Sequence, residues 1–198
     1  GDISHDVIGS GSGKVESSEA LGVFDNFDTK NDNIWDYNDY QTIPFNDNGN
    51  NVVKNIGTGN NWNANFYRKT PSLSSGKLAQ VEFKVDTTAT VAHFAIEASN
   101  PNYNRLAVIV TDSIFIQYME NGAGWNYPKT LISPTKTNIW YVIILNVDDN
   151  NQFYVKVYEK DNLNVFGDYS RAMPIGLNWN FHHWIFRDTA YIDNYMEI

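Results

Sequence analysis

The sequence predicts an all-β fold, a two-sheet antiparallel β-sandwich of the jelly-roll type, on three observations. Apolar and polar residues alternate with period two through most of the chain after residue 20. The runs are short, recur about every ten residues and are separated by Asn, Asp, Gly and Pro. No useful window places apolar residues at helical spacing, and the abundant Asn, Tyr, Val and Ile are modest helix formers. Antiparallel strands must each bury one face, which packed sheets or a closed barrel achieve; we take the two-sheet form.

Residues 1–20 hold Gly9-Ser10-Gly11-Ser12-Gly13 and Ser17-Ser18, the composition of an arm or linker, and 21–198 form the predicted sandwich. Ile3, Val7 and Ile8 leave two roles for the arm: lying along its own domain, or adding as a strand to a neighbouring copy. Predicted strands are 21–27, 51–56, 65–69, 78–86, 91–98, 105–111, 113–120, 129–132, 138–147, 152–159, 182–187 and 190–198. In the fourth, Val81, Phe83 and Val85 alternate with charged residues, predicting one buried and one solvated face. Residues 139–145 are apolar on both faces, which predicts a covered mid-sheet strand and a core position for Trp140. Asp148-Asp149-Asn150-Asn151 reads as the hairpin turn into 152–159, where Phe153, Val155 and Val157 point away from Tyr154, Lys156 and Tyr158.

Composition narrows the function classes. Fourteen Lys and Arg against 23 Asp and Glu give a net charge of −9, without a basic cluster to neutralise phosphates, so nucleic acid and anionic membranes are poor partners. The absence of cysteine excludes disulfides, thiolate catalysis and sulfur-ligated zinc. No apolar run reaches the roughly 18 residues of a membrane span, and Gly1-Asp2-Ile3-Ser4-His5 lacks the character of a signal peptide, so a mature or excised product is expected. With no Asn-x-Ser/Thr acceptor, bacterial export is the expected context, placing the protein outside the cell or on its surface.

The segment Leu21-Gly22-Val23-Phe24-Asp25-Asn26-Phe27-Asp28 with Ile34-Trp35 resembles the first strand of concanavalin A-like, laminin-G-like jelly rolls. Asn138-Ile139-Trp140-Tyr141-Val142, Phe153-Tyr154-Val155-Lys156-Val157-Tyr158-Glu159-Lys160 and Thr189-Ala190-Tyr191-Ile192-Asp193-Asn194-Tyr195 are similar, in order, to later parts of that superfamily and of carbohydrate-binding modules. The resemblance implies a secreted glycan-binding jelly roll, often attached to a glycoside hydrolase, whose first and last strands pair and whose edge a calcium ion can brace. Asp25, Asp28 and Asp193 would then supply calcium ligands, although the same acids also suit turns.

Catalysis finds little support. Retaining glycosidases of this fold carry Glu-x-Asp-x-x-Glu on one strand, because two carboxyls about 5 Å apart must flank the scissile bond. The sequence lacks that motif; Glu82-x-Lys84-x-Asp86 places a lysine between its acids and reads as a charged outer face. His93 and Glu97 share a strand face, and His182 and His183, being adjacent, must point to opposite sides. A polysaccharide lyase would pair a His or Tyr base with an Arg that neutralises a uronate; His93, Arg105, Arg187 and Tyr191 supply the types without a diagnostic spacing.

Sugar recognition asks for flat aromatic faces beside amides and carboxylates. The predicted loops carry Trp62 between Asn61 and Asn63, Trp125 before Asn126 and Tyr127, Trp179 between Asn178 and Asn180, and Tyr103 between Asn102 and Asn104. Each tryptophan could instead close an end of the sandwich as a lid, and Trp35 and Trp184 read as core. The candidate ligand-binding set is Trp62, Trp125, Tyr127, Trp179, Tyr103, Asn61, Asn63, Asn126, Arg105 and His93. The expected activity is non-catalytic binding of a polysaccharide. Two alternatives stay open: a self-assembling filament or surface-layer subunit whose arm 1–20 engages its neighbour, and a lyase or hydrolase with an unrecognised site.

Overall fold

The computed structural model describes residues 22–70, 73, 76–98, 104–119, 129–150, 152–161, 165–172 and 178–198. The predicted arm lies outside them. Fourteen strands follow in order: β1 (Phe24–Asp25), β2 (Trp35–Asp36), β3 (Gln41–Asp47), β4 (Asn50–Thr58), β5 (Ala64–Arg68), β6 (Lys77–Val85), β7 (Val91–Ala98), β8 (Asn104–Val110), β9 (Ser113–Met119), β10 (Lys129–Pro134), β11 (Tyr141–Val147), β12 (Gln152–Glu159), β13 (Val165–Ala172) and β14 (Asn180–Glu197). Among the described residues there is no helix, and so none long and apolar enough to cross a membrane.

The sandwich is organised by β14. Its first half pairs with β7 and β5, and its second half with β6 and β4. The front layer thus runs β10-β9-β8-β7-β14-β5, and the back layer β13-β12-β11-β6-β14-β4-β3. Where β14 passes between layers its register shifts between Ile185 and Arg187, and Asp188 takes a positive φ of 61°. Gly57 is required beside this bend: a Cβ there would stand 2.5 Å from the Phe186 carbonyl carbon and the Arg187 nitrogen. β1 pairs with the end of β14, Phe24 opposite Met196, as the resemblance implied.

Rings from both layers fill the space between. Phe83 of β6 meets Phe94 of β7 at 4.8 Å, and Tyr118 of β9 meets Phe153 of β12 at 6.1 Å. At one end Trp35 is surrounded by Phe27, Phe66, Phe181 and Tyr195, its Nε1–H donating to Asp25 Oδ2 at 2.9 Å. Asp25 Oδ1 accepts the Phe27 amide, so this carboxylate caps a buried aromatic cluster.

The structure amends several strand readings. Strands 182–187 and 190–198 are one continuous β14, because a bulge and positive-φ residues bend the chain without ending its pairing. β3 escaped prediction: it carries Pro44, tolerated on an edge strand where the register with β4 shifts between Thr42 and Phe45. β2 and β13 were also missed, one being two residues long and the other interrupted by Gly167 and Asp168. The charged face of β6 is covered instead of solvated: Glu82 and Lys84 are buried, paired to Lys160 at 2.6 Å and to Asp47, with Lys84 under the rings of Trp140 and Tyr191. Trp140 precedes β11 and is half-buried, lying over Lys84 on the outside of the back layer and not in the core. β11 does lie mid-sheet, between β6 and β12, and Asp148 Oδ1 accepts the Asn150 and Gln152 amides in the predicted turn.

Candidate functional site

Alternation along the front layer sends Ala92, Phe94 and Ile96 of β7, Leu106 and Val108 of β8, and Ile114 and Ile116 of β9 into the core. The opposite face therefore carries the other parity, and the register aligns it in rows. Trp184 of β14 stands opposite His93, His93 opposite Ile109, and Ile109 opposite Phe115. A second row runs from His182 through Ala95 and Ala107 to Gln117 and then Lys129. A third places Asn180, Glu97, Arg105 and Met119 side by side.

This face is covered as well as polar: His93 is 4 % exposed, Arg105 3 %, Gln117 2 % and Trp184 5 %. Trp62, in the loop between β4 and β5, folds over it. Its ring lies 4.7 Å from His93 and 5.2 Å from Phe186 and packs on the small cluster of Ala95, Ala107, Ile109 and Trp184. The loop is set by its asparagines, Asn61 Oδ1 accepting the Asn63 amide and Asn65 Nδ2 donating to the Trp62 and Asn63 carbonyls. Half-buried Trp62, with Val91, His93, Ile109, Thr111 and Lys129, lines a pocket of about 280 Å³. That is close to the lower bound of the ~300–1,000 Å³ usual for small-molecule sites, room for one ring-sized group.

Two charge arrangements shape the face. Burial, then the positive charges of Arg105 and Lys129, push the His93 pKa well below its ordinary value, so His93 is a neutral imidazole. Arg105 lies over the Trp184 ring at 4.8 Å. Beside it, His182 Nδ1 meets Glu97 Oε1 at 2.6 Å, while the His182 ring packs on Trp184 at 4.5 Å and on Tyr67 at 5.3 Å. Tyr67 OH donates to Asp36 Oδ2 at 2.9 Å. His183 points the other way, into the core, stacked on Phe94 at 4.4 Å; burial lowers its pKa to about 3.

Of the predicted ligand set, the structure brings together Trp62, His93 and Arg105, flanked by the exposed Asn61 and Asn63. Trp179 does not belong: it is 0 % exposed, its backbone bridges to Leu73 and its ring meets Phe153 at 4.8 Å. The polar neighbours that suggested a loop sit at a short bridge whose one inward side chain is the indole. Tyr103, Trp125, Asn126 and Tyr127 lie outside the described residues. Within the lyase set, Arg187 donates to the Ala89 carbonyl and Tyr191 to Asp86, away from His93. Glu97 pairs with His182 across strands, not with His93 on its own strand. Sequence reasoning missed Lys129, Gln117 and the His182–Glu97 pair; Trp184, read as core, is buried in the small cluster on this face.

The predicted calcium ligands are otherwise employed. Asp25 accepts from the indole and amide donors above, Asp28 accepts from Asn26 and Asn51, and Asp193 accepts from Asn50 at 2.7 Å and from Asn194. Burial raises the Asp193 pKa, against the lowering effect of the hydrogen bonds from Asn50 and Asn194. Among the described residues, no three acid or histidine side chains gather as a metal site requires.

The sequence matches no family model and no curated protein. Solved structures are similar to it over most of both chains. A Bacteroides ovatus GH16 protein of a mixed linkage glucan locus, in complex with an oligosaccharide product, has a TM-score of 0.64 at 10% identity and covers 89% of this chain and 99% of its own. The exoplasmic/lumenal domain of VIP36, in its Ca²⁺-bound form, has a TM-score of 0.61 at 9% identity and covers 87% of each chain. The fold is the concanavalin A-like jelly roll. A third structure sharing this jelly roll is an endo-β-1,4-glucuronan lyase from the fungus Trichoderma reesei, TM-score 0.56 at 8% identity, covering 90% of this chain and 95% of its own. Identities this low establish the architecture; the chemistry of this jelly roll has to be argued from its own front face.

Proposed function

We propose that the protein is a secreted glycan-binding jelly roll that holds a sugar ring against Trp62 on its front face. One observation carries the reading: a half-buried indole forms the wall of an open pocket whose other lining groups include an imidazole, a hydroxyl and an ammonium. A pyranose presents C–H groups to an aromatic face and hydroxyls to polar neighbours, and this wall offers both. Solved structures that share the fold include a glucuronan lyase and a GH16 protein in complex with its product, which supports the reading. Affinity for one site should be modest, because sugar hydroxyls exchange water for protein partners at little net gain. Retention on polysaccharide gels tests the proposal: Trp62→Ala should abolish retardation while the melting temperature stays within a few degrees. Unchanged retardation would remove it.

A second, catalytic reading rests on the His182–Glu97 hydrogen bond with Arg105 directly across from Glu97 in the register. A carboxylate that orients a histidine beside a guanidinium suits proton abstraction next to a uronate carboxyl. Unsaturated products from a polyuronate, lost in Glu97→Gln and His182→Asn, would favour this reading over binding alone. The assembly reading depends on residues 1–20, and deleting them would reduce self-association only if that arm joins neighbouring copies.

A further inference from the structure

We propose that the Trp62 pocket selects an acidic sugar residue, its ring on the indole and its carboxylate or sulfate on Lys129. The inference rests on the glycan-binding reading and specifies its ligand. Although the chain is strongly acidic, no Asp or Glu lines this pocket among the described residues, and the charged residue they contribute to its lining is a lysine. Lys84, Lys136, Lys160 and Arg68 each reach a carboxylate at hydrogen-bonding distance, whereas Lys129 makes no ion pair among the described residues. It hangs from the first residue of edge strand β10, exposed, with its Nζ 5.8 Å from the Phe115 ring. Arg105, on the adjoining row of the same face, adds a second positive charge, and both act on His93. Asp112, next in the chain to the pocket-lining Thr111, accepts from the Thr111 hydroxyl at 3.2 Å.

A neutral sugar would leave the Lys129 ammonium unmatched, while an anionic substituent would gain a charge-assisted contact. The net charge of −9 repels a long polyanion at a distance, so the contact is local to one residue and a short oligosaccharide is the appropriate probe.

Calorimetric titration of the full chain decides the matter, with three ligands: an oligouronide, its carboxyl-reduced neutral counterpart, and a sulfated form of that neutral oligosaccharide. An exposed charge pair is worth up to about 1 kcal/mol, which is roughly fivefold in affinity. The oligouronide, the sulfated ligand or both should bind about fivefold more tightly than the neutral one. Lys129→Gln should erase that preference with the melting temperature unchanged, and Lys129→Arg should keep it. Binding of only one anionic ligand would identify the substituent. Equal binding of all three, unaffected by Lys129→Gln, would overturn the acidic preference and leave the glycan reading standing. No binding of any ligand, with Trp62→Ala equally inert, would overturn both.

Discussion

Replacing Trp179 by alanine empties the end of the core where its indole meets the Phe153 ring, and none of the lost surface was exposed to solvent. Truncating a fully buried tryptophan costs about 3–5 kcal/mol, the transfer of the ring plus the cavity it leaves. For a domain of this size each kcal/mol lowers the melting temperature by roughly 2–4 °C, so Trp179→Ala should melt about 6–20 °C below the parent chain. Trp62→Ala removes a half-buried ring that packs on His93 and Phe186, a loss of about 1–2 kcal/mol at most. Differential scanning calorimetry and affinity electrophoresis on the same two variants separate structure from recognition. Trp179→Ala should lose stability and, below its new transition, keep its retardation; Trp62→Ala should do the reverse. A Trp179→Ala chain that melts like the parent yet no longer binds would refute the assignment of these two indoles.

Two further outcomes test the energetics of the fold. Arg68 and Glu197 form a buried pair at 2.6 Å, with Tyr195 OH donating to the same carboxylate; Arg68→Met strands that charge and should cost about 3–5 kcal/mol by urea denaturation, part of it recovered in Arg68→Met/Glu197→Leu. His183 is neutral in the folded chain down to about pH 3 but takes up a proton near pH 6.5 when unfolded. Between those values the unfolded chain binds the extra proton, so this group contributes stability above about pH 6.5 that falls by about 1.4 kcal/mol per unit on acidification. His183→Phe should flatten the pH dependence of stability in that window by about one proton, measured by denaturation at several pH values.

Periodicity made the core legible. Val81, Phe83 and Val85, or Phe153, Val155 and Val157, announce their faces by alternation alone, and the core of both layers follows. The same rule separated His182 from His183 correctly. What alternation does not carry is which strands become neighbours. β14 joins β7 across about 90 residues, and only that pairing sets His182 against Glu97 and Trp184 against His93. Trp179 failed for a related reason: its Asn-rich flanks describe the backbone around it, while the side chain obeys the single bridge to Leu73. Glu82 and Lys84 looked solvated because a strand's second face is dry or wet according to side chains from elsewhere, here those of Lys160, Asp47 and Trp140.

The front face itself argues for a role beyond stability. A sheet face that is merely shielded from water is most cheaply filled with aliphatic side chains, since buried polar groups return little net free energy even when bonded. β7, β8 and β9 place His93, Arg105 and Gln117 there instead, all almost fully covered, while the core face of the same strands is apolar apart from Asn104 at the start of β8 and the Tyr118 hydroxyl. The two faces share backbone, register and twist, so strand propensity cannot explain the difference. Departures from the most stable choice concentrate where a protein meets its ligand. Buried charges elsewhere, Arg68 with Glu197 and Lys84 with Asp47, are matched in ion pairs; beside Trp62 and its pocket, the ammonium of Lys129 makes no ion pair among the described residues, and on the proposed reading it marks the side from which a charged sugar would approach.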